Sequence, residues 1–255
     1  KMVQDDGAVA RLLPADCLAI EEIGAAGAVF DVLAWLALVV TALFMAFKAQ
    51  QVEDWMRKYY YLNTYICGVA SFAYFAMFSG MGWETIMGCR QFFYVRFMEW
   101  AVTTPLIILS LGLLANEDPV VIAAVMGSDV AMIVAGYLGS VALVPTVKWL
   151  WFIVALAVFA PVVYALVRVF RQTVIQKDDV DRIDLYGKVS LLVVVTWSLY
   201  PLVWILGVGT GVLGISAESI CYAVLDVVTK CVFAFMMVNV SGYESSEIET
   251  QREFV

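Results

Sequence analysis

The chain has 255 residues, of which 63% are hydrophobic and only 15% charged, whereas soluble domains run at about half apolar and about a quarter charged. Its net charge of −8 makes nucleic acid an improbable partner, and the lack of histidine removes the commonest metal and haem ligand. The five cysteines, Cys17, Cys67, Cys89, Cys221 and Cys231, form no CxxC pair, so no zinc or iron–sulfur site is expected.

In chain order, residues 1–27 form an acidic segment without the pattern of a signal peptide. Apolar runs long enough to cross a bilayer follow at 28–48, 59–82, 92–115, 119–143, 149–170, 187–208 and 217–240. Short polar breaks separate them at Gln50–Lys58, Gly82–Gln91, Asn116–Pro119, Pro145–Lys148, Arg171–Lys188 and Gly207–Ser216. Short connections predict sequential antiparallel packing, so the expected fold is an all-α membrane protein, a seven-transmembrane-helix bundle over 28–240. Residues 241–255 read as a polar, acidic and disordered tail.

Basic residues set the expected orientation. The first, third and fifth loops and the C-terminal tail carry nine: Lys48, Arg57, Lys58, Arg168, Arg171, Lys177, Arg182, Lys188 and Arg252. The N-terminal segment and the even loops carry four: Lys1, Arg11, Arg90 and Lys148. This bias puts the N-terminus outside and the C-terminus in the cytoplasm, as in a multi-pass plasma-membrane protein. Asn239-Val240-Ser241 is a formal glycosylation sequon, but on the cytoplasmic side it would be idle.

Five ionisable residues stand out inside the runs: Arg96, Glu99, Asp129, Asp226 and Lys230. Facing lipid, each would be costly, so each should face the interior with a partner. Arg96, Glu99 and Thr103 fall at i, i+3 and i+7 on one face of the third helix, and Asp226 and Lys230 at i and i+4 on the seventh. If those faces meet, one lysine lies near two carboxylates, with an arginine close by. A desolvated lysine is a good nucleophile toward an aldehyde. Trp100, Phe152, Phe159, Trp197, Tyr200 and Trp204 occupy interior-compatible positions in three helices and could sleeve a long conjugated ligand.

Three segments carry a family resemblance. Arg96-Phe97-Met98-Glu99-Trp100-Ala101-Val102-Thr103-Thr104-Pro105-Leu106 resembles the third-helix signature of the microbial (type 1) rhodopsins. Trp197-Ser198-Leu199-Tyr200-Pro201-Leu202-Val203-Trp204 resembles their sixth-helix pocket segment, and Leu225-Asp226-Val227-Val228-Thr229-Lys230 their seventh-helix attachment site. The resemblance implies all-trans retinal bound covalently to Lys230 as a Schiff base. It implies Glu99 and Asp226 as counterions, Glu99 as first proton acceptor, and Arg96 just outside the pair. Thr103 would hydrogen-bond Glu99, and Tyr200 would hydrogen-bond Asp226. Trp100, Met132, Phe152, Trp197, Pro201 and Trp204 would line the ligand, and Thr104 and Asp129 would link the third and fourth helices. Glu218 matches an acidic residue of the proton-release region, although its usual acidic neighbour is missing from Gly207-Val208-Gly209-Thr210-Gly211.

Two positions depart from the pattern of most outward proton pumps. Glu99 stands where they carry aspartate, and glutamate there also occurs in some channelrhodopsins. Ser110 stands about 16 Å along the helix from Glu99, where the pumps usually have a carboxylate that returns a proton. Serine is a poor proton donor, which implies a slow photocycle. The expected activity is therefore light-driven ion translocation, most simply of protons, rather than enzymatic catalysis. A light-gated channel and a photosensor, free or fused to an effector, are the alternatives. Membrane lipids and the transported proton are the implied partners, and related proteins often form trimers or pentamers. Cys17 and Cys89, both read as outside, could form a disulfide or stay free thiols.

Overall fold

In the computed structural model, residues 16–177 and 179–239 are described; the N-terminal segment before Asp16 and the tail from Val240 onward, with Arg11 and Arg252, lie outside them. Among the described residues seven helices run in sequence: α1 (Ala25–Ala49), α2 (Asp54–Phe78), α3 (Tyr94–Ala115), α4 (Pro119–Val141), α5 (Pro145–Gln176), α6 (Val180–Gly209) and α7 (Ile215–Val238). Between α2 and α3 a short antiparallel hairpin pairs β1 (Glu84–Ile86) with β2 (Arg90–Phe92). All but α2 are long and apolar enough to cross a membrane by length and composition. Helix α2 is more polar, with Asp54, Arg57, Lys58, Asn63 and the tyrosines Tyr59, Tyr60, Tyr61, Tyr65 and Tyr74.

Apolar side chains lie on the outer faces as well as in the core. Phe72, Tyr65, Ile153 and Leu191 are exposed on the outer faces, whereas Asp31, Asn63, Glu99, Asp226 and Lys230 are buried. An apolar outer belt suits a lipid surround for helices whose backbone groups are satisfied internally, and the buried charges are isolated points in an apolar core.

Local chemistry explains the helix ends. Asp118 caps α4, accepting from Val120 N at 2.7 Å, and Pro119 follows at the first position, where its missing N–H is harmless. Asn116 ends α3 in the left-handed conformation (φ 53°), one that asparagine tolerates. Three helices contain π-helical turns: Ala165–Val169 in α5, Ile205–Gly209 in α6 and Val227–Val232 in α7. The first two begin four residues after Pro161 and Pro201. The third has no proline and contains Lys230.

Several breaks predicted as loops are instead helical. Helix α2 starts at Asp54 and ends at Phe78, Pro145–Lys148 is the first turn of α5, and most of Arg171–Lys188 is helix. The charges there decorate projecting turns. Asp179 caps α6 by accepting from Arg182 N at 3.1 Å, and Lys188 pairs with Asp184 one turn away. In the Gly82–Gln91 connection, the hairpin turns through Gly88 and Cys89, both at positive φ. Cys89 is disulfide-bonded to Cys17, and Glu21 bridges alongside Arg90, clamping residues 17–21 over the hairpin.

Candidate functional site

The interior at mid-bundle is organised around Lys230. Its Nζ donates to Asp226 Oδ1 at 2.5 Å and lies 3.0 Å from Glu99 Oε1, so the faces of α3 and α7 do meet. Lys230, Glu99 and Asp226 are each at most 3% exposed, and a buried cation of this kind needs paired carboxylates.

The two carboxylates are held differently. Asp226 accepts from four donors: Lys230, Tyr74 OH at 2.7 Å, Tyr200 OH at 2.7 Å and Trp100 Nε1 at 3.2 Å. Glu99 faces two donors, Lys230 and Thr103 Oγ1, the latter at 2.8 Å. Tyr200 OH is also 3.1 Å from Thr229 Oγ1. Thr104 Oγ1 lies 2.5 Å from Asp129 Oδ2, joining α3 to α4.

From Lys230 a cavity extends between α3, α4, α5 and α6. Its walls include Trp100, Thr104, Met132, Phe152, Trp197, Tyr200, Pro201, Trp204 and Lys230, every residue that the sequence nominated for ligand contact, together with Phe97, Gly136, Phe159 and Tyr222. Phe152 and Trp204 stack with centroids 4.6 Å apart, and Trp204 Nε1 is anchored on Ser140 Oγ at 2.7 Å. An indole with its one donor satisfied presents an otherwise apolar face.

Polar groups continue from Lys230 toward the hairpin end. Arg96 is buried there, with its guanidinium 5.2 Å from the rings of Phe93 and Tyr222. Its closest acidic partner is not one of the expected pair but Asp31, at 3.7 Å, and it donates to Ser219 Oγ. Nearer the end, Arg90 and Glu218 form a buried ion pair at 2.6 Å. The opposite half is different. Ser110 donates back to Leu106 O at 2.9 Å, and Ile107, Ile108, Leu111, Leu114, Phe170 and Phe233 belong to one buried apolar cluster. Apart from Asp129, which is level with Thr104, no buried carboxylate lies in that half among the described residues.

Sequence reasoning missed Tyr74, Asp31, Ser219 and Ser140. Asp31 carried a signal, a carboxylate inside the first apolar run. Tyr74, Ser219 and Ser140 carried none beyond residue type.

Fold and site together define a seven-helix membrane protein with an internal lysine between two carboxylates at the head of an aromatic cavity, the layout of the retinal proteins. The profile of the bacteriorhodopsin-like protein family matches residues 26–242, and the chain belongs to that family, whose chromophore is retinal. Archaerhodopsin-2 of Halobacterium sp. (strain aus-2) is 33% identical over 209 residues, 80% of each chain. Sensory rhodopsin-2 of Natronomonas pharaonis is 31% identical over 209 residues, 81% of this chain and 86% of its own. Among solved structures, the light-driven proton pump LR (Mac) from Leptosphaeria maculans superposes with a TM-score of 0.83 at 25% identity, covering 88% of this chain and 97% of that one.

Proposed function

We propose that this rhodopsin is a light-driven proton translocator in which Glu99 takes up the proton held at Lys230 Nζ. The single observation that carries this reading is the 3.0 Å approach of Glu99 Oε1 to Nζ beside an Asp226 that is already engaged by four donors. The acceptor sites of Asp226 are taken up by these four donors. Glu99, with two, is the group with room for a further proton.

The lining fits retinal. An amine stands at one end, aromatic faces from α3, α5 and α6 stand along the sides, and at Gly136 a Cβ would crowd Phe97 at 3.3 Å. Joined to Lys230 Nζ through an imine bond, retinal supplies visible-light absorption and an isomerisation that reorients the nitrogen. The chain does the rest. Thr103 fixes the Glu99 carboxylate, Tyr74 and Tyr200 fix Asp226, and the stacked Phe152–Trp204 pair confines the cavity.

Direction follows from the asymmetry. Beyond Glu99 toward the hairpin end come Arg96, Asp31, Arg90 and Glu218, whereas beyond Lys230 the other way comes an apolar plug around Ser110. We place the hairpin end outside. It carries fewer basic residues, and its Cys17–Cys89 disulfide suits an oxidising compartment. The plug disfavours an open channel and slows return of a proton to Nζ. That slow return also supports a second reading, a photosensor whose long-lived lit state is its signal.

The test is whole-cell voltage clamp under illumination. A pump gives a photocurrent of one sign at all voltages. A current that reverses with the ion gradient overturns the reading in favour of a channel, and no current in a protein that bleaches and recovers overturns it in favour of a sensor.

A further inference from the structure

Eight charged side chains are buried among the described residues: Asp31, Arg90, Arg96, Glu99, Asp129, Glu218, Asp226 and Lys230. Asp129 is set apart with Thr104. The remaining seven comprise three cations, Arg90, Arg96 and Lys230, and four carboxylates, Asp31, Glu99, Glu218 and Asp226. An uncompensated charge is expensive in such surroundings, so the set is neutral when one carboxylate holds a proton. Glu218 is closed against Arg90 at 2.6 Å, and Glu99 and Asp226 flank Lys230 at 3.0 and 2.5 Å. Asp31 is the loosest of the four, 3.7 Å from Arg96 with Ser219 between them: Arg96 donates to Ser219 Oγ, and Ser219 donates to Asp31 Oδ1 at 2.7 Å.

We propose that Asp31 is the exit group, losing its proton to the hairpin side when Glu99 gains one. This rests on the proton-transfer reading above. Arg96 is positioned to couple the two events. It shares a face of α3 with Glu99, one turn away, and reaches Asp31 on α1 through Ser219 on α7. Its Nε is buried and finds no acceptor among the described residues, so the guanidinium is under-bonded and can exchange partners. In the transfer the N–H bond at Lys230 breaks and an O–H bond forms at Glu99. With the Glu99 charge one turn away now neutralised, the Arg96 guanidinium draws closer to Asp31, its nearest carboxylate. The O–H bond at Asp31 then breaks, and its proton passes to water beyond the N-terminus of α1, about 10 Å away along the helix. The groups facing Asp31 are Arg96 from α3, Tyr74 from α2, and Ser219 and Asp226 from α7.

The test is flash excitation of the retinal-bound protein in detergent, with a soluble pH dye reporting release and time-resolved infrared spectroscopy reporting carboxyl C=O bands. In the parent protein the dye signal should rise together with the new Glu99 band, while one carboxyl band is lost. In Asp31→Asn the lost band should vanish and the dye signal arrive at least ~10-fold later, with the Glu99 band keeping its rise. Asp31→Glu, which retains the carboxyl, should shift the frequency of the lost band and restore early release. Unchanged dye timing in Asp31→Asn, or no frequency shift in Asp31→Glu, overturns the assignment of Asp31 and leaves the functional reading standing. Absence of any Glu99 band in the parent protein overturns both.

Discussion

Arg90→Met tests whether the hairpin end is held by charge pairing or by packing alone. The Arg90 and Glu218 side chains are 8% and 9% exposed and meet at 2.6 Å. Removing the arginine strands a carboxylate out of water, which costs about 3–5 kcal/mol, roughly a 100- to 5,000-fold change in an equilibrium or rate constant. The second link of Arg90, to Glu21 at 3.6 Å, adds little because Glu21 is half exposed. Leu213 O, which accepts from Arg90 at 2.7 Å, loses that donor as well. The double variant Arg90→Met/Glu218→Met loses the same donor but strands no carboxylate, so the difference between the two isolates the unpaired charge. The assay is the rate of thermal bleaching of the visible band in detergent at fixed temperature. Arg90→Met should bleach at least ~100-fold faster than the parent, and the double variant should recover most of that loss, because an apolar pair avoids the desolvation that an ion pair incurs. A single variant within about three-fold of the parent, or a double variant no slower to bleach than the single, refutes the reasoning.

Two further substitutions address the site. Lys230→Ala should abolish the visible absorption band after retinal is added; a band that survives would place the attachment elsewhere. Ser110→Asp should supply the proton donor that serine lacks and speed recovery of the dark state by about 10²-fold or more at neutral pH, as read by flash photolysis; unchanged recovery would show that the apolar plug, not the missing donor, sets the pace.

Much of the site was legible because a membrane makes charge conspicuous. Lys230, Glu99 and Asp226 are isolated polar points in apolar runs, and such points must find one another. The i, i+4 relation of Asp226 and Lys230 survives even though the intervening turn is π-helical, with the two still in contact at 2.5 Å. The partners of Arg96 were not legible. Spacing on α3 pointed it at Glu99, whereas packing of α1 against α7 gives it Asp31 and Ser219. Tyr74 was hidden for a different reason: an aromatic residue in an apolar run reads as packing, and only tertiary placement shows its hydroxyl on Asp226. Helix ends failed where charge was taken for loop, as at Asp54 and across Arg171–Lys188, because a helical turn projecting beyond the bilayer has the same composition as a loop. The cysteines left pairing open, and the structure closes it at Cys17–Cys89.

Asp226 has one more property, which is mechanical. The side chains that grip it come from α2 (Tyr74), α3 (Trp100) and α6 (Tyr200), and its own backbone belongs to α7. Four of the seven rods are therefore pinned at one carboxylate. Under the proposed transfer the neighbouring Nζ gives up its charge, and Asp226 keeps its three donors from α2, α3 and α6 while the fourth changes. An electrical event a few ångströms across would then act at the point where four helices are tied together.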